Sequence, residues 1–304
     1  MTSKAIAKQL AMKLKLENKL KPKLRKFFKQ VGRDVRVVWT ATGRIPSLDS
    51  FDAELTAILR DHYRLVAEAF KDIPKQSIKS SIAIGERKIA EELPGGSDSS
   101  DPTSFIAAVI LLLSSAIDKA EEEIVGFIID ESVKHSGFIL NTTRDELQSV
   151  TARVVANAVA QGEDLTLAEI SARVEREFAA NSRNRIDTIA VTETQGPSET
   201  TKLIMALALA STALTVPGVD GELLPGTVIK TWNSVIDSVT RPAHISANGQ
   251  VVLNNTSFVV GGERLPAPGN SSLGASLKNI INCRCIATYD VVGGEALPMN
   301  ITLQ

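Results

Sequence analysis

Large rings are scarce in this chain: Phe, Trp and Tyr together make up 4% of its 304 residues. Ala, Leu, Ile and Val must therefore fill the core, which favours helix packed on helix over a β-sandwich. There are two cysteines, Cys283 and Cys285. They are too few for a disulfide framework, and extended i, i+2 positions hold their Cα atoms roughly 6–7 Å apart, at the limit of a bridge. The chain reads as made in a reducing cytoplasm. Long apolar runs are also missing. Phe105–Ile117 is 13 residues, too short for about 30 Å of hydrocarbon. Leu203–Val219 reaches 17 but is rich in Ala and Thr and ends at Pro217-Gly218. Both read as buried helices, with Leu207 among the core positions. The N-terminus lacks the apolar core of a cleavable leader. No phosphate-cradling glycine loop, nucleophile with a partner base or usefully spaced carboxylate pair is visible, so an enzyme is not expected.

Net charge is only −1, but its distribution is uneven. Residues 1–44 carry 13 Lys and Arg against Glu17 and Asp34, a net of +11, which leaves −12 for the remainder. Such asymmetry marks a segment that meets nucleic acid, a membrane or an acidic protein surface. Within it, Ile6, Leu10, Leu14, Leu20, Leu24, Phe27, Phe28 and Val31 recur at helical spacing. Pro22 should kink or split that helix, and 31–43, richer in Val, Trp39 and Thr, reads as extended. Lys8, Lys13, Lys15, Lys19, Lys23, Arg25, Lys26 and Lys29 are the candidate phosphate contacts.

The fold class expected is α+β, in three parts. A basic helical arm covers 1–44, a mostly helical body 45–216, and a small module of short antiparallel strands 217–304. Helices are expected at about 50–72, 76–92, 104–135, 143–161, 167–180 and 184–214. Pro94–Ser104 is the candidate linker, and a turn is expected at Gln161-Gly162. Thr143–Glu146 and Thr166–Glu169 have capping-box spacing. Beyond Pro217, strands are expected at Thr227–Trp232, Val251–Leu253, Ser257–Val260 and Ile280–Tyr289, with Asn248-Gly249 as a hairpin signal and Gly261-Gly262 as a turn.

The most distinctive residues form an ordered series. They are Ala190-Val-Thr-Glu193-Thr, Lys230-Thr-Trp232, Asp237, Arg241, His244, Asn248-Gly249-Gln250, Phe258, Gly261-Gly262-Glu263, Pro268-Gly269 and Asn282-Cys283-Arg284-Cys285. Over about residues 183–289 this series resembles the Mu F-like minor head (head-morphogenesis) proteins of tailed bacteriophages. Val191 departs from the pattern, since relatives often carry Arg there. The resemblance implies a virion protein in the head interior or portal region, made in the host cytoplasm. Its implied partners are the portal or major capsid protein and double-stranded DNA, with a homo-oligomer also compatible. Two other readings stand beside it. One is an ejection protein that touches DNA or membrane without an assembly role; the other is a zinc- or NAD-dependent enzyme.

Two local clusters admit sharper chemistry. Cys283 and Cys285 would share one face of a strand, and with His244 and Asp237 they could supply mixed ligands to zinc. Filling the core as small apolar residues is the favoured alternative, so no cofactor is expected. Asp237, Arg241 and His244 read as a structural network. Arg284, on the opposite strand face, is expected to fork onto Asp237 and fasten the last strand. His62 and His135 lie on expected helices without a second ligand and read as structural.

Overall fold

The structure, a computed structural model, describes residues 3–76, 102–211, 215–217, 223–225 and 227–292. Its fold is α+β: among the described residues, four long helices precede short antiparallel strands. The helix expected at 76–92 and most of the 94–104 linker lie outside the described residues; from Pro102 the chain is already helical.

Helix α1 runs from Ser3 to Thr42 without a break, through Pro22 and through the stretch expected to be extended. Lys, Leu and Ala favour helix, and burial of Leu20, Leu24, Phe27 and Phe28 offsets the hydrogen bond that Pro22 cannot donate. Gly43, at φ +64°, ends the helix, its N–H bonded to the Trp39 carbonyl at 2.8 Å. A 3₁₀ turn at Asp49–Phe51 leads into α2 (Asp52–Phe70). Helix α3 (Pro102–Ala160) joins the two helices expected at 104–135 and 143–161. The capping box expected at Thr143 does not form, because its hydroxyl bonds back to the Ile139 carbonyl at 2.6 Å. Arg185 adds bonds to the Ile139 and Thr142 carbonyls there. The turn at 161–162 does form, with Gly162 at φ +67°. So does the box at Thr166: its N–H donates to Glu169 Oε2 at 2.8 Å, and the Glu169 N–H to Thr166 Oγ1 at 3.2 Å. Helix α4 (Leu167–Ala210) then runs on through Pro197.

The Leu203–Val219 helix is a correction. Helix α4 stops at Ala210, and Thr215–Pro217 forms strand β1, paired with β2 (Leu223–Pro225). Leu203, Ile204, Met205, Ala206 and Leu209 are buried, but Leu207 is 38% exposed and faces outward. No helix among the described residues is long and apolar enough to cross a membrane.

Contacts divide the chain into two compact units with interleaved boundaries, unlike the expected parts 1–44, 45–216 and 217–304. One unit comprises Leu14–Leu65 and Phe127–Glu193. Its core includes Leu16, Leu24, Phe27, Phe28, Phe51, Leu59, Val150 and Phe178, so most of the basic helix is a core element here rather than a free arm. Phe27 meets Phe51 edge-on at 6.0 Å and Phe28 meets Phe178 at 6.3 Å. The other unit comprises Met1–Lys13, Val66–Gly126 and Thr194–Gln304. Its central sheet has strand order β4-β3-β7, formed by β3 (Thr227–Asn233), β4 (Val251–Leu253) and β7 (Ile286–Val292). Trp232 lies opposite Ala287 in the β3–β7 register. A one-turn helix, α5 (Pro242–Ser246), separates β3 from β4, so Asn248-Gly249 leads out of α5 into β4 instead of making a two-residue hairpin. The tight hairpin is β5 (Phe258–Val260) to β6 (Glu263–Leu265), turned at Gly261-Gly262 with both φ angles positive.

Candidate functional site

The last turn of the module concentrates its chemistry. After the short helix α6 (Leu277–Ile280), Asn282 adopts φ +56°, a left-handed conformation that Asn tolerates better than most residues. That reversal ends the strand expected at 280–289 before it starts; β7 begins only at Ile286. Cys283 and Cys285 still turn inward and are buried, while the Arg284 side chain is 54% exposed. His244, on α5, meets both thiols. Its Nδ1 lies 3.4 Å from Cys285 Sγ and 3.7 Å from Cys283 Sγ. All three ligand atoms lie within 4.8 Å of one another, the one such His, Cys, Asp or Glu group among the described residues.

Around this cluster sits a shell of rings and hydroxyls. The His244 ring stands edge-on to Trp232 at 5.7 Å, and Trp232 meets Phe258 at 5.3 Å. Ser234 accepts the Trp232 indole N–H at 3.1 Å, donates to the His244 carbonyl and lies 3.8 Å from Cys285 Sγ. The hydrogen bond from Cys283, aided by His244, lowers the Cys285 thiol's pKa. The same bond, together with burial, raises that of Cys283. Beside them lies a cavity of about 20 Å³, room for one water, lined in part by Thr240, Arg241, His244, Cys283 and Cys285.

Two expected partners stand apart from the cluster. Asp237 turns back on its own loop, accepting from the Val239 N–H at 3.1 Å and the Thr240 hydroxyl at 2.7 Å, and it is not one of the grouped ligands. The Arg284–Asp237 fork is a second correction. One guanidinium nitrogen approaches at 3.9 Å, and both side chains are substantially exposed, which is worth little. The closing turn is fastened by Arg241 instead, whose guanidinium donates to the Ile281 carbonyl.

A polar clamp that sequence reading missed holds β7 from behind. Gln195, Glu199 and Lys202 follow one face of α4 at spacings of four and three. Gln195 donates to the carbonyls of Cys285 (2.7 Å) and Pro268 (3.3 Å). Glu199 accepts the Ala287 N–H at 2.9 Å, and Lys202 donates to the Ala287 carbonyl at 3.0 Å. The outer edge of β7 is thus satisfied by helix side chains. Lys13 completes the clamp, reaching Gln195 at 2.6 Å and Glu199 at 2.7 Å. At 3% exposure it cannot meet DNA phosphate, which removes it from the expected contacts. Burial would raise the Glu199 carboxyl, but Lys13 and Lys202 outweigh that and hold it below the usual range. Burial lowers Lys202 to about 8. It also lowers Lys230 to about 7, although its ammonium donates to the Pro266 carbonyl at 2.7 Å. The Pro268-Gly269 loop rests on α4 so closely that a Cβ at Gly269 would stand 2.9 Å from Gln195 Cγ.

Glu193, another acid of the motif, belongs to the helical unit. It accepts from the Tyr63 hydroxyl and bonds His135 Nδ1 at 2.6 Å. Burial would lower His135, but the Glu193 charge and bonds to Glu131 and Glu193 raise it to about 10. The structural reading of His135 thus acquires named partners. Of the remaining candidate phosphate contacts, Lys8, Lys15, Lys19, Lys23, Arg25, Lys26 and Lys29 are exposed on α1. Lys23 also lies 3.9 Å from Asp61. Comparison with protein-family models, with curated proteins and with solved structures finds no match to this chain.

Proposed function

We propose that this protein is a minor head protein of a tailed-phage virion, structural rather than catalytic, contacting the portal or inner capsid surface and the packaged double-stranded DNA. One observation carries the reading. Residues of the ordered motif that are far apart in sequence pack into a single core: Trp232, Phe258, Cys283 and Cys285 belong to one buried cluster. His244 contacts that cluster, and Pro268-Gly269 is seated on α4. The residues that carry the resemblance to head-morphogenesis proteins in this region thus pack against one another.

The DNA contact has its own support. At 100° per residue, Lys8, Lys15, Lys19, Lys26 and Lys29 fall on one side of α1. Leu16, Leu20, Leu24, Phe27 and Val31 fall on the other. From Lys15 to Lys29 the basic stripe is about 21 Å long at 1.5 Å per residue. Phosphate neutralisation needs only such a line of charge.

Removing the whole helix would be a poor test, because Leu16 to Val35 belong to the core. Lys15, Lys19, Lys26 and Lys29 changed together to Gln keep the buried face intact. If each cation meets a phosphate, the slope of log affinity for duplex DNA against log salt should fall by roughly 3 to 4. An unchanged slope in a variant that melts like the parent refutes the DNA contact. Virion association is tested separately, by mass spectrometry of purified particles; absence from them refutes the head assignment.

A further inference from the structure

We propose that His244, Cys283 and Cys285 form a tetrahedral zinc site whose fourth position opens onto the small cavity beside them. The geometry carries this. With Zn–S near 2.3 Å and Zn–N near 2.0–2.1 Å, tetrahedral angles put each sulfur about 3.5–3.6 Å from the imidazole nitrogen. The two observed separations, 3.4 and 3.7 Å, bracket that value.

The ligand atoms are positioned rather than merely close. Nδ1, not Nε2, faces the sulfurs, because α5 is held by Arg241 on the Ile281 carbonyl and by Ser234 on the His244 carbonyl. The left-handed turn at Asn282 aims the first thiol inward, and Gln195 grips the Cys285 carbonyl at 2.7 Å to fix the second. Such outer contacts are what orient the ligands of a metal site. Two thiolates and one imidazole are a donor set that selects zinc over oxygen-preferring cations such as magnesium and calcium. Three protein ligands leave one position, and the cavity of about 20 Å³ that borders all three accommodates one water there. This reverses the expectation that the thiols only fill the core. It does not depend on the virion assignment.

The test uses the full chain, kept reduced, loaded with zinc and freed of excess by gel filtration. The expected result is about one zinc per chain in the wild type and in Asp237→Asn, whose carboxylate is outside the ligand group. In His244→Gln and Cys285→Ser affinity should fall by more than about a hundredfold, since even an outer partner of a ligand is worth 10–100-fold. Cobalt(II) provides a readout on the wild type alone, so the proposal stays testable if the variants misfold. The protein should show a thiolate-to-cobalt charge-transfer band and the intense visible bands of a tetrahedral ion, both abolished by competing zinc. A wild type without stoichiometric zinc, a cobalt complex lacking thiolate bands, or folded variants that retain metal as the parent does would each overturn the site.

Discussion

Glu199→Gln should be among the most damaging isosteric changes in this protein. Glu199 is fully buried and accepts three bonds: Lys13 at 2.7 Å and Lys202 at 2.8 Å on Oε1, and the Ala287 N–H at 2.9 Å on Oε2. A glutamine there has one acceptor oxygen. It must either present that oxygen to the two ammonium groups and leave the Ala287 N–H facing an NH₂, or the reverse. Removing one partner of a buried ion pair costs about 3–5 kcal/mol because the other charge stays buried. An orphaned backbone N–H adds about 1–3 kcal/mol. A loss of about 4 kcal/mol or more is expected, a large share of a typical stability of 5–15 kcal/mol. Urea unfolding followed by Trp232 fluorescence in a Trp39→Phe background reports on this unit alone, since Trp232 is buried within it and Trp39 lies in the other. Changing Lys13 and Lys202 to Met in the same chain should recover a substantial part of the loss, because the unpaired charges then go. A cost below about 1 kcal/mol for Glu199→Gln, or a triple variant less stable than the single, would refute the claim that these lysines are charged and held by Glu199.

Alkaline titration should move the two units in opposite directions. His135 titrates at about 10 when folded and near 6.5 in the unfolded chain. Its stabilisation is therefore complete below about 6.5 and lost as pH rises through 10. Lys202, at about 8 when folded, binds fewer protons than its unfolded counterpart between about 8 and 10.4, so it favours folding increasingly across that window. Unfolding followed through Trp39 should show the first trend, and His135→Gln should abolish it; a flat profile in the parent contradicts the Glu193–His135–Glu131 network. On α4, Leu207→Asp should cost only about 1 kcal/mol, from helix propensity and an acid near the C-terminal end. Met205→Ala, two residues away and fully buried, should cost about 2–5 kcal/mol. Thermal melts that reverse this order would mean the observed face of α4 is wrong.

The sequence by itself determined the features governed by neighbours in the chain. The 3.6-residue recurrence from Leu20 to Val31, the Thr166–Glu169 box and the Gly261-Gly262 turn were legible because their partners lie within a few residues. The same locality misled at Thr143, where box spacing matched but Arg185, 42 residues on, made continued helix the better solution. It misled again at Leu203–Val219, where apolar composition could not say that Leu207 faces out. At the candidate site the residue types were legible and their geometry was not. Cys283, Cys285 and His244 could be named as ligands, and so could Asp237, because a string of letters carries no distances. Only tertiary structure decided that His244 reaches both thiols while Asp237 turns back on its own loop. Lys13 is the sharpest case. Its sequence neighbours are those of a solvated basic helix, yet it pairs with Glu199, 186 residues away. A charge is read as exposed until the fold supplies a buried counter-charge, and that partner is fixed by packing rather than by anything local.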